Sequence, residues 1–269
     1  MCIIVAKKKG IKIPGKEILN SCFLANNDGA GMMFNDGKQV HILKGYMTFE
    51  EFYNTLIDID NRYNLIDKDL ILHFRISTSG NVDKGNCHPY PLRPTTEHLR
   101  ALNCVTNIGM AHNGIIKKHT PPQGSILNDT QTFIKNYVFN MYSKNSNFLN
   151  DPNNIKLLEA EAESKLAFLT RDNMYLIGDF IQDNDIYYSN YSYANYLYKC
   201  DYDYLYINDN IDLFDLEGEP LDIELFNEIL EDNLDIHYIN DKNILYENKY
   251  IFELNYNNFS FNYLYTLNN

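Results

Sequence analysis

The run Cys2-Ile-Ile-Val-Ala6 is apolar and β-branched almost from the first residue, and it reads as a buried strand that begins at the very N-terminus. The strands that follow come in hairpins. Gly31–Phe34 and Gln39–Leu43 are joined across Asn35-Asp36-Gly37, where Asp-Gly favours a tight turn. Leu166–Thr170 and Met174–Phe180 turn at Asp172-Asn173, with Ile186–Ser189 beside them. Leu70–Phe74 and Asn103–Met110 read as two more strands, separated by a Ser-, Asn-, Gly- and Pro-rich loop over Ser77–Pro94. Helices are interspersed. Lys16–Ala25 carries a stripe of Ile18, Leu19, Cys22 and Phe23, and Thr48 with Glu51 forms a capping box for a helix to about Tyr63. Asn128 with Gln131 caps another helix to about Tyr142, and a further one follows Pro152. Hairpin strands with helices between them predict a layered α+β fold rather than a doubly wound parallel sheet.

Composition narrows the function classes. The 269 residues suffice for one large or two small domains, and 45% hydrophobic against 22% charged residues is a globular balance. The formal charge of −13 repels phosphate backbones, so no nucleic-acid partner is expected. No apolar run approaches the ~18 residues of a bilayer span, so no membrane partner is expected either. The N-terminal apolar run is too short for a signal segment, and Lys7-Lys8-Lys9 lies on the wrong side of it. Five Cys without a C-x-x-C pair point to a reduced, cytoplasmic compartment. After about Tyr198 the character changes. Asp201–Asp241 contains no Lys or Arg, Leu221–Leu230 looks helical, and Tyr238–Leu267 alternates like half-buried strands. We therefore expect a domain over 1–198 and an acidic α/β extension over 199–269 packed on it, the acidic run facing solvent or a basic protein partner.

Four places carry candidate chemistry, each with a plainer reading beside it. Cys2 is a small residue of the kind before which initiator Met is removed, and removal would leave a thiol and a free α-amine on one residue. That amine titrates near ~7.7–8.0, so it can take the thiol proton at neutral pH. The plainer reading is a small hydrophobe in a strand. Arg75, within His73–Gly80, sits at a strand end among hydroxyl residues, suited to clamping a carboxylate or to a surface ion pair. Asn113 and Gly114, within Ala111–Ile115, can turn the chain, or can offer a side-chain amide and a backbone N–H to an oxyanion. Asp129, within Asn128–Gln131, complements a helix N-terminus and can also meet an ammonium group. His73, Cys87, His88 and His112 fit no metal-site spacing, and neither a metal nor a cofactor is expected. Cys87-His88-Pro89 reads as a loop near the site, and the Tyr-rich run Tyr187–Tyr193 as core and strand edge.

Taken in order, Cys2, D-G-x-G at Asp28–Gly31, R-x-S-T-x-G at Arg75–Gly80, H-N-G at His112–Gly114 and N-D-T-Q at Asn128–Gln131 resemble class II glutamine amidotransferases. The resemblance covers roughly Cys2–Tyr191. It implies an N-terminal-nucleophile (Ntn) hydrolase fold, a four-layer αββα sandwich of two antiparallel sheets. It also implies L-glutamine as substrate, Cys2 as nucleophile and its α-amine as base. Arg75, with Thr78 nearby, would hold the α-carboxylate, and Asp129 the α-ammonium. Asn113 and Gly114 would form the oxyanion hole. Thiol attack would release ammonia and leave a γ-glutamyl thioester for water to hydrolyse. Two departures stand out: Ser79 follows the Arg-x-x-Thr, and Asn26-Asn27 replaces the Arg-Gly common before the acidic motif. No synthase is recognisable after residue 200, so ammonia would pass to a separate synthase subunit or be released by a free glutaminase. The alternatives are an Ntn hydrolase acting on another γ-glutamyl or acyl amide, and a non-catalytic binding protein that keeps the fold.

Overall fold

The computed structural model describes residues 2–77 and 80–194, together with four strands between residues 237 and 266. Contacts divide the chain into two compact units, Met1–Leu197 and Tyr198–Asn269. In the second unit, β12 (His237–Ile239), β13 (Ile244–Glu247), β14 (Tyr250–Asn255) and β15 (Ser260–Thr266), numbered after the eleven strands among the described residues of the first unit, form one antiparallel meander. The acidic run Asp201–Asp241 and the helix expected over Leu221–Leu230 lie, but for the three residues of β12, outside the described residues.

The first unit is α+β, and its strands pair antiparallel throughout. One sheet of seven strands contains β1 (Ile3–Lys7), β2 (Ala30–Asn35), β3 (Val40–Tyr46), β4 (Leu70–Phe74), β6 (Asn103–Thr106), β10 (Ile181–Asp183) and β11 (Ile186–Tyr188). Its order is β10-β11-β1-β4-β2-β3-β6, so the N-terminal strand lies inside the sheet. A second sheet orders β5 (Tyr90–Pro91), β7 (Ile108–Asn113), β8 (Lys165–Thr170) and β9 (Met174–Ile177) as β5-β7-β8-β9.

Every residue of β1 and β4 is buried, and the alternation of the pleat explains how. Ile3 and Val5, with Leu70, Leu72 and Phe74, meet helices α1 (Lys16–Ala25) and α2 (Phe49–Tyr63) through Leu19, Cys22, Phe52 and Leu56. Ile4, Ala6 and Ile71 point the other way, where they share a core with Ala111, Ala167 and Leu169 of the second sheet. The far face of that sheet, with Met110, Leu166 and Phe168, packs on Phe133, Ile134, Val138 and Leu158. After the short α3 (Thr96–Arg100) the chain forms α4 (Asp129–Phe133), which runs through a π-turn (Ile134–Val138) into α5 (Phe139–Lys144), and then α6 (Pro152–Ala162), and those residues come from this last stretch. The two sheets thus face each other, and helices cover each outer face. Each fully buried Leu, Ile or Phe contributes ~1.5–3 kcal/mol, so three such clusters suffice to order the layers.

Two strand expectations need correction. Ile186–Ser189 does not lie beside the β8–β9 hairpin: β11 pairs with β10 and β1 in the seven-stranded sheet, because the chain changes sheets after Ile177. Asn103–Met110 is not a single strand: the chain leaves the seven-stranded sheet after Thr106 and enters the other at Ile108. Half-exposed β6 lies at a sheet edge, whereas β7 is buried along its whole length. Elsewhere the chain passes itself closely. A Cβ on Gly31 would lie 2.2 Å from the His88 carbonyl oxygen and 2.7 Å from Lys44 Cβ. Gly31→Ala is therefore expected to cost ~1–3 kcal/mol, read as a lower midpoint in denaturant. An unchanged midpoint would show that the His88 segment can yield.

Candidate active site

The β1–β4 ladder pairs Ile3 with Phe74 and Ile4 with His73. One further step of that register sets Cys2 opposite Arg75. Both have the parity of Ile4, Ala6 and Ile71, so both belong to the face turned toward the second sheet. The Cys2 thiol donates to the Ile76 carbonyl at 3.3 Å. Burial pushes that thiol up, while the Ile76 carbonyl contact and the Arg75 cation pull it back, and the net shift is upward. A resting thiol in this place needs a base within contact to become a nucleophile.

Arg75 is 2% exposed, and its Nη2 donates to Ser77 Oγ at 2.9 Å. The loop that holds it is closed by the D-G-x-G segment. Asp28 accepts the Ser77 N–H at 2.7 Å, and backbone bonds join Arg75 N to Gly29 O and Asp28 N to Arg75 O. Gly29 has φ +122°, and a Cβ there would lie 2.4 Å from Cys87 Sγ, so the glycine admits both the turn and the neighbour. Ser77 Oγ donates on to the Gly80 carbonyl, and a Cβ on Gly80 would touch Asn128 Cβ. The Arg75 loop therefore ends beside the start of α4. Thr78 and Ser79 lie outside the described residues.

At that helix start the expected capping box forms in full. Asn128 Oδ1 accepts the Gln131 N–H and Gln131 Oε1 accepts the Asn128 N–H, both at 2.9 Å. Gln131 Nε2 also donates to the carbonyls of Gly85 and Leu99, the same two that Lys44 Nζ binds, which fixes α4 against β3. Asp129 is buried, with Oδ2 accepting the Ile116 N–H and Oδ1 the Thr130 N–H, each at 2.8 Å.

Asn113 closes β7, on the face toward the first sheet. Its Nδ2 donates to Ser189 Oγ at 2.8 Å, and its Oδ1 is buried with no hydrogen-bond partner among the described residues. Gly114 follows at φ +143°, where a Cβ would meet Ser164 Cβ at 2.5 Å. No other residue fits that step. His112 ties the two halves of the site together. Its Nδ1 is 2.8 Å from Thr130 Oγ1, beside Asp129, and its Nε2 is 2.8 Å from Ser164 Oγ. Because Ser164 Oγ donates to the Ala162 carbonyl, it accepts from His112, which puts the proton on Nε2.

Three imidazoles line the interior behind Arg75. His73 stacks on His88 at 4.2 Å and donates from Nε2 to the His112 carbonyl at 3.0 Å. His88 Nδ1 accepts the His112 N–H. Burial pushes His73 down to about 3, His112 down to about 4 and His88 well below its ordinary value. All three are neutral at neutral pH, so none of them adds a positive charge to that of the Arg75 guanidinium. Cys87-His88-Pro89 is a loop beside the site, as expected, and Cys87 and His88 are buried in it. In the Tyr-rich run, Tyr188 and Tyr193 are buried and stack at 3.9 Å, while Tyr191 stays exposed.

The structure therefore brings Cys2 next to Arg75, ties Asn113 to the β1 strand, and ties Asp129 to the Asn113 strand. Sequence reasoning missed the segment that completes the enclosure. Asn190 Nδ2 donates to the Cys2 carbonyl at 2.7 Å, Ser192 Oγ donates to Asn190 Oδ1, and Asn26 Nδ2 donates to Ser192 Oγ. The only local hint is Asn190-Tyr-Ser192, an Asx-type turn in which Asn190 also accepts the Ser192 N–H. Among the described residues no three His, Cys, Asp or Glu side chains converge as a metal-holding group. Nor is any described helix long and apolar enough to cross a membrane. An open polar cleft of about 290 Å³, lined by Lys38, Asn107, Tyr142 and Arg171 among others, lies at the opposite end of the β7–β8 ladder from Asn113. It contains none of the residues of this site. No protein-family model matches the chain, and no curated protein matches it.

Proposed function

We propose that this chain is a glutaminase of the class II amidotransferase type, with an Ntn-hydrolase αββα sandwich as its first unit. The observation that carries the reading is the β1–β4 register, Ile3 opposite Phe74, whose next step sets Cys2 opposite Arg75 on the face between the sheets. Free glutamine is a zwitterion with its reactive amide at the other end. A site for it needs a cation and an anion for the head group, and a nucleophile with oxyanion donors a side chain's length away. Arg75, Asp129, Cys2, and Asn113 with Gly114 are of those types, and the bonds described above link them.

The chemistry follows from Cys2 once Met1 is removed. The freed α-amine takes the thiol proton, and the thiolate adds to the amide carbon. Asn113 Nδ2–H and the Gly114 N–H receive the oxyanion, and such donors act best where water is excluded. The amine then gives its proton to the leaving nitrogen, and ammonia departs as the thioester forms. Water, deprotonated by the same amine, attacks the thioester. Glutamate leaves, and the thiol recovers its proton. No cofactor is needed for this sequence, and a separate synthase subunit is the natural acceptor of the ammonia.

The test has two parts. Intact-mass measurement of the purified chain is expected to show loss of Met1, and that material is expected to release equimolar ammonia and glutamate from L-glutamine. Active material that fully retains Met1 would rule out the mechanism, and processed material inert toward glutamine would overturn the substrate.

A further inference from the structure

Nucleophile and oxyanion donor stand on different sheets: Cys2 precedes β1 of the seven-stranded sheet, and Asn113 ends β7 of the four-stranded one. The core between the sheets is apolar and non-directional, so it does not by itself fix the aim of an amide. Ser189, the residue after β11, spans the gap. Its Oγ accepts the Ile4 N–H and the Asn113 Nδ2–H, each at 2.8 Å, and its own N–H donates to the Ile4 carbonyl at 3.0 Å. Lys165 Nζ, from the strand paired with β7, donates to the Ser189 carbonyl at 2.6 Å. Ser189 is fully buried. A hydroxyl oxygen has two lone pairs, and here both are used, one toward each sheet.

We propose that Ser189 is a positioning residue for the oxyanion donor, holding the Asn113 side-chain amide in register with the strand that carries Cys2. The inference rests on the glutaminase reading for its kinetic consequence, though not for the contact itself. With one Nδ2 hydrogen engaged by Ser189, the carboxamide plane is fixed and the second hydrogen is left for the oxyanion. Replacing the hydroxyl leaves the donor present but free to rotate, so part of its contribution is lost; complete removal of such a donor costs ~10²–10³ in kcat.

In the full, Met1-free chain, Ser189→Ala is expected to lower kcat for glutamine ~10-fold or more with KM within about threefold. Ser189→Cys keeps the shape but is a poor acceptor, so it is expected to behave like the Ala variant and guards against a loss due to a void. In an Asn113→Ala background, Ser189→Ala is expected to cost nothing further, because it acts through the amide already removed. A full rate in Ser189→Cys, or the same fold-loss in both backgrounds, would overturn the proposal. Hydrogen exchange of the Asn113 side-chain amide, followed by NMR, is expected to be slow in the unmodified chain and faster in both Ser189 variants; equal rates would likewise overturn it. That readout needs no turnover. If the processed chain proves inert toward glutamine, the glutaminase reading fails, and exchange still decides whether Ser189 holds Asn113.

Discussion

Replacing Cys2 by Ala is expected to lower ammonia release from glutamine by ~10³-fold or more while leaving the fold intact. The size follows from removing the only atom that forms a bond to substrate in both halves of the proposed reaction. Stability should change little, because Cys2 lies outside the three apolar clusters and gives up a single thiol contact, to the Ile76 carbonyl. A loss below ~1 kcal/mol is expected for so small a change. Ala is small enough for Met1 still to be removed, so the α-amine is retained and the thiol alone is tested. Rapid acid quench of the unmodified chain with glutamine should trap a γ-glutamyl adduct on Cys2, and the variant should trap none. Equal rates in the two proteins would reassign the nucleophile.

Local chemistry was the part of this molecule most open to sequence reasoning. The stripe of Leu19, Cys22 and Phe23 marks Lys16–Ala25 as a helix, and the structure ends it at those residues. Asn128 and Gln131 announce a reciprocal cap that forms as written, since both partners lie within one turn. At Thr48 only half of the expected box appears: its hydroxyl accepts the Glu51 N–H, without the return bond. What the sequence hides is which sheet a strand joins. Asn103–Met110 reads as one strand, but a strand reading says nothing about partners, and the break at Asn107 moves the chain between sheets. The same blindness applies to Ser189 and Asn190. Their contacts to Ile4 and Cys2 span more than 180 residues, and neither residue type is distinctive after a strand. Motif order points to Arg75, Asn113 and Asp129 as a set, and part of what holds them comes from the motifs themselves, through Asp28 with Ser77 and His112 with Thr130; Ser189, which links Asn113 to Ile4, and Asn190, which binds the Cys2 carbonyl, lie outside every motif.

Arg75→Ala is the second large effect, and it should fall on a different constant. The α-carboxylate that Arg75 is proposed to hold is remote from the amide undergoing reaction, so its binding energy is shared by ground state and transition state. Losing it should raise KM and leave kcat within a few-fold. A charge-assisted contact is worth ~1.5–3 kcal/mol, which corresponds to a ~10–100-fold rise in KM. Arg75→Lys retains the charge but not the planar fork, so it should fall between the two. A structural role would look otherwise. Arg75 is buried and its Nη2 binds Ser77, so some loss of thermal stability is expected in both variants. The discriminating result is the order of the KM values: if Lys and Ala variants lose stability in proportion while KM stays that of the unmodified chain, the guanidinium only closes the loop over Asp28–Gly80. A selective rise in KM for glutamine, larger for Ala than for Lys, makes it the carboxylate clamp, and makes the Cys2–Arg75 register the distance that selects an amino-acid amide.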